Sequence, residues 1–90
     1  MNDPVTQMEV ADLSNASQTQ KEAALEFLRH KTELRDDSGN VVGKIIMPYF
    51  EGNMLKATVR IFSSTILTRS IAEAAKNVSS EVYDLKYLLQ

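Results

Sequence analysis

Lys56, Thr58 and Arg60 stand at alternate positions of the run from Met54 to Phe62, with Leu55, Ala57, Val59 and Ile61 filling the places between and after them. An extended chain turns successive side chains to opposite faces, so this spacing presents two cations and a hydroxyl on one side of a strand. Side chains of these types suit contacts to phosphates and base edges, and nucleic-acid binding is the chemistry they could supply. Other reactive groups are sparse. His30 is the only histidine and cysteine is absent, which removes thiolate nucleophiles, disulfides and Cys-type zinc sites together. His30 has no second imidazole to complete a metal site, and it reads as a residue at the end of a helix, where its ring meets the last carbonyls and the negative end of the dipole. Asp36 and Asp37 lie in DDSGN, which has neither the ligand spacing of a calcium loop nor its bidentate Glu, and they read as turn formers. The hydroxyls of Ser63, Ser64, Thr65, Thr68, Ser70, Ser79 and Ser80 have no base to activate them and no G-x-S-x-G elbow around them. No catalytic, cofactor or metal site emerges, and the expectation is a non-enzymatic protein without a small-molecule ligand.

Size and charge narrow the class further. Ninety residues make one domain with a thin core, a situation that dimerisation would relieve. The opening MNDPVTQMEV has no basic stretch followed by an apolar one, and no run approaches the length of a membrane span, so the chain reads as soluble and cytoplasmic. Net charge is -2, with nine acids against five bases up to Asn53 and five bases against three acids from Met54 onward. An acidic front and a mildly basic back favour heterotypic contacts only weakly.

The elements that must position these residues follow from period and punctuation. Residues 1–17 are polar and irregular and read as a flexible or partly helical arm, in which Asp3-Pro4 could open a short helix. Residues 18–90 read as a single α+β domain. Thr19 and Glu22 have the spacing of a capping box ahead of KEAALEFLRH, which predicts an amphipathic helix from about Gln20 to His30. Strand chemistry begins after Lys31, and Asp36-Asp37-Ser38-Gly39-Asn40 and Glu51-Gly52-Asn53 mark two turns. Between and around those turns lie three strands of an antiparallel meander, the second of which must bulge or turn its nitrogen outward at Pro48.

The last third carries an apolar stripe, Leu67, Ile71, Ala74, Val78, Val82, Leu85 and Leu89, at helical spacing with no Gly or Pro to interrupt it. One long helix is expected from about Ser64, with Asn77-Val78-Ser79-Ser80 as the place where a helical hairpin would form instead. Such a helix is roughly 39 Å long at about 1.5 Å per residue, against about 30 Å for a compact globule of this chain length. The core is expected where Leu55, Val59 and Ile61 meet Leu67, Ile71 and Ala74, with Leu25 and Leu28 as a second helical layer. Past Val78 the stripe outruns the sheet, so Val82, Tyr83, Leu85, Tyr87 and Leu89 are expected to seat a second copy or a protein partner.

MLKATVRIF followed by SSTILTRSIAEAAKNVSSEVYDLKYLL resembles the ribbon-helix-helix DNA-binding family: an alternating strand, a helix, a short break, and a second helix opening with Ser-Glu-Val. The resemblance implies a dimer whose paired strands enter the major groove, with Lys56, Thr58 and Arg60 as base-reading side chains. A sequence pI near 5.3 lacks the basic footprint of a phosphate binder. The favoured expectation is therefore a small interaction module acting through its C-terminal helix: an adaptor, inhibitor or assembly chaperone of a kind that phages and other mobile elements encode. A small dimeric DNA-binding regulator is the alternative.

Overall fold

The computed structural model describes residues 3–62 and 68–88, and there the chain runs β1 (Val5–Asp12), α1 (Gln18–His30), β2 (Glu33–Arg35), β3 (Val41–Glu51), β4 (Met54–Ile61) and α2 (Thr68–Leu88). The four strands form one antiparallel sheet in the order β1-β4-β3-β2. The α+β class and the meander of β2, β3 and β4 agree with expectation. The sheet has a fourth strand, however, and it precedes the first helix. Val5–Asp12, read from the sequence as part of an arm, pairs with β4 from Val5↔Arg60 to Asp12↔Met54. Val5, Thr6 and Val10 are β-branched, and Met8 alternates with Gln7 and Glu9. That pattern outweighs the helix start offered by Asp3-Pro4 once β4 supplies a ladder.

The meander is built by its turns. In the first, Asp36 Oδ1 accepts the backbone N–H groups of Ser38 at 3.0 Å and Asn40 at 2.9 Å, and Gly39 takes φ +86°. The Asp36 carboxylate is thus engaged by the backbone of its own turn. In the second, Gly52 takes φ +62° at the first central position of a two-residue hairpin closed by Glu51 and Met54. Pro48 is handled in both of the ways its missing N–H allows. The ladder bulges between Ile45 and Met47, and Pro48 then falls opposite Ala57. The Phe62 N–H donates to Val42 O, so β4 residues in phase with Phe62 bond to β3 and Ala57 does not. The Pro48 nitrogen therefore faces away from β4.

The helices lie together on one face of the sheet. Helix α1 starts two residues before the expected box, because Ser17 is the cap. Ser17 Oγ accepts from the Gln20 N–H at 3.1 Å while Gln20 Oε1 accepts from the Ser17 N–H at 2.9 Å. Helix α2 is continuous through Asn77-Val78-Ser79-Ser80, so the hairpin form does not occur. Asn77 instead anchors the helix, since its amide donates to Arg35 O and to Asp37 Oδ1, both at 3.1 Å, tying α2 to the end of β2 and the turn beyond it. Ala74, Val78 and Val82 of α2 share one buried cluster with Ala24 and Leu28 of α1 and with Ala11, Leu34, Ile45, Leu55, Ala57, Val59 and Ile61 of the sheet. Complete burial contributes about 1.5–3 kcal/mol for each of the Val, Leu and Ile side chains among them, and less for the alanines. Leu67, also expected in this core, lies outside the described residues.

Candidate functional site

The helix layer has a seam on its outer side. Ala23, Glu26, Phe27 and His30 of α1, Lys31 just after it, and Glu81 and Leu85 of α2 line an open groove of about 560 Å³. Helical spacing puts Ala23, Phe27 and His30 on one stripe of α1, and Glu81 and Leu85 on one stripe of α2. Phe27 and Leu85 are half-buried in its lining. Charged side chains line it as well. Glu26 lies 2.8 Å from His30 Nε2 and 3.1 Å from Arg29 Nη1, and Lys31 bridges to Glu81 at 3.2 Å, joining the two helices. The hydrogen bond with His30, reinforced by the one from Arg29, holds the Glu26 carboxyl below its ordinary range. An apolar lining beside charges of both signs can seat a side-chain ridge and orient it.

The residues expected to face a partner divide. Val82 is 0% exposed and belongs to the core, so the chain covers it without help. The expected 30 Å globule was the wrong comparison: the molecule measures 41 × 23 × 19 Å, and β1 adds Val10 and Ala11, with Leu13 just beyond it, to the buried cluster. Tyr83 is half-buried, and its hydroxyl accepts the Asp12 N–H at 3.0 Å, fastening α2 to the end of β1. Among the described residues of the set, Leu85 alone lines the groove. Tyr87 lies within α2 but its side chain is outside the described part, and Leu89 lies outside the described residues.

Lys56, Thr58 and Arg60 do share one face, the face of the sheet that the helices leave open. The register sets that face out in rows across the strands: Glu33, Lys44, Arg60 and Val5; then Met47, Thr58 and Gln7; then Tyr49, Lys56 and Glu9; then Glu51, Met54 and Asp12. Acids and bases are interspersed in these rows. Lys56 Nζ donates to Glu51 at 3.0 Å, and this bond holds its ammonium pKa above the ordinary lysine value. Thr58 Oγ1 and the Tyr49 hydroxyl both donate to Gln7 Oε1, at 3.1 and 2.7 Å. Arg60 makes no ion pair among the described residues. Strand β4 is bonded to β1 on one side and β3 on the other, so neither of its edges is open for the strand exchange of a ribbon dimer.

Phe27, His30, Lys31 and Glu81 were not singled out together by sequence, because their meeting depends on how α1 crosses α2. A signal existed for Phe27, the largest side chain on the apolar side of α1. No helix among the described residues is long and apolar enough to cross a membrane. No protein-family model, curated protein or solved structure matches the chain.

Proposed function

We propose that this chain is a small non-catalytic interaction module, of the adaptor, inhibitor or assembly-chaperone class, that holds an amphipathic helix of a partner protein in the groove between α1 and α2. The observation that supports this reading is the groove's lining: Phe27 and Leu85, both half-buried, together with Glu26, His30, Lys31 and Glu81. An amphipathic helix docks its apolar ridge into such a seam and sets its register by the charges beside it. The regulator reading has one observation in its favour, the placement of Lys56, Thr58 and Arg60 on the open sheet face, and the interspersed acids there weigh against a phosphate-binding field.

The test is a titration of labelled amphipathic helical peptides by fluorescence anisotropy. Saturable binding is expected, and Leu85→Asp and Phe27→Asp should each abolish it while Lys56→Ala and Arg60→Ala leave it unchanged. Binding to duplex DNA that falls steeply with salt, and is blunted by Lys56→Ala and Arg60→Ala, would replace this reading with the regulator. Absence of any peptide binding by the wild-type chain would sink it.

A further inference from the structure

Strand β1 is an edge, and its ladder phase can be worked out. Pro4 O accepts the Ile61 N–H at 2.9 Å, and Val5 sits opposite Arg60. Backbone groups of alternate residues in an antiparallel strand point the same way, so Thr6 and Met8 bond to β4. Val5, Gln7 and Glu9 turn their N–H and C=O groups outward. Devices that blunt an edge strand stand at both ends of this stretch: Pro4 before it, and beyond it the register shift between Glu9 and Ala11 with the Asp12 N–H taken by the Tyr83 hydroxyl. Between them, among the described residues, no hydrogen bond reaches the outward backbone groups of Val5, Gln7 and Glu9, and Val5 leaves 55% of its surface exposed.

We infer that this edge pairs with the same edge of a second copy of the chain, antiparallel about a two-fold axis at Gln7, so that two sheets join into one of eight strands. The register is self-complementary. Gln7 meets Gln7 of the second copy, and Val5 meets Glu9 at both ends, each as a pair exchanging two backbone bonds, about six bonds in all. On the open face, the Glu9 carboxylate arriving beside Val5 comes next to Arg60, which flanks Val5 from β4. Their backbones are about 10 Å apart, two strand spacings, within the combined reach of the two side chains. Within the chain Glu9 faces Lys56 across the ladder without a close ion pair, Arg60 makes none among the described residues, and the association adds two Arg60–Glu9 pairs, one at each end. Gln7 is prepared as well: two hydroxyls hold its side-chain oxygen from within the sheet, leaving the amide NH2 for the axis. On the inner face Thr6 meets the half-buried Met8 of the second copy.

The test uses the absence of native cysteine. In Gln7→Cys, paired residues at the axis are about 5.5 Å apart at Cα, which brings the two thiols within reach of a short bis-maleimide cross-linker. The cross-linker should give a covalent dimer in high yield, while Asp37→Cys, far from the axis, should give little. Sedimentation of the wild-type chain should show a monomer–dimer equilibrium. Glu9→Lys should weaken it at least tenfold by setting like charges side by side, and Glu9→Lys combined with Arg60→Glu should restore it. A chain that stays monomeric at every concentration overturns the inference and leaves the edge to a foreign strand. A dimer that survives Glu9→Lys unchanged and is not trapped by Gln7→Cys overturns it too, since its interface is elsewhere.

Discussion

Truncating Val82 to alanine separates two accounts of the C-terminal helix. If its side chain serves the core, Val82→Ala removes two methyl groups from a fully enclosed site. Transfer alone costs about 1.6 kcal/mol at about 0.8 kcal/mol per group. A void on the order of 40 Å³ that the surroundings fail to fill adds up to about 1 kcal/mol. The expected loss is about 2–3 kcal/mol, a large part of the roughly 5–13 kcal/mol available to a domain of this length. The thermal midpoint should then fall by about 10–20 °C. Urea unfolding followed by circular dichroism, at low and high protein concentration, reads the loss directly, with Leu85→Ala as the control. Leu85 is half-buried beside the groove, so its truncation should cost about 1 kcal/mol, roughly half the transfer value of the three carbons removed. Val82→Ala unfolding at the wild-type urea midpoint while self-association weakens would refute the reasoning, because it would place Val82 between chains.

Further outcomes follow from single contacts. Gly43→Ala should destabilise by about 1–3 kcal/mol, because a Cβ there would lie 2.5 Å from the Arg60 carbonyl oxygen on the adjacent strand; thermal melting checks it. Ser17→Ala should cost about 1 kcal/mol by removing the α1 cap, with Thr19→Ala near neutral, read from urea midpoints. NMR titration of the Glu26 carboxyl should give a midpoint below the ordinary value, moved upward in His30→Ala. Because that carboxyl is depressed on folding, its contribution is present above the unfolded-state value and is lost as pH falls through the folded one.

Much of this architecture was legible because it is local. The β4 alternation, the two Gly-containing turns and the helical stripe from Ile71 to Val82 each lie within a few turns or one strand of chain, where period and φ requirements act directly. What escaped was non-local. The partner of β1 is β4, with all of α1, β2 and β3 between them, and a short run such as VTQMEV declares itself a strand only when such a partner is known. The cap moved from Thr19 to Ser17 because Gln20 can complete the same box as Glu22, and both register choices satisfy the local rule. Val82 was misplaced for the same non-local reason: without β1 the stripe has no cover past Val78. At the candidate site, Leu85 was legible from helical phase, while the pairing of Lys31 with Glu81 depended on the packing of one helix on the other.

The placement of β1 beside β4 also sets an order of events during synthesis. β1 leaves the ribosome ahead of the other elements of the sheet, and its ladder partner follows after roughly fifty residues, a delay of about 3–10 s at translation rates of about 5–20 residues per second. For that interval Val5, Met8 and Val10 travel on a strand without its one neighbour, while β2, β3 and β4 can assemble as they emerge. Closure of the sheet therefore waits for the return of β1, and α2, which emerges after β4, then packs across the completed face.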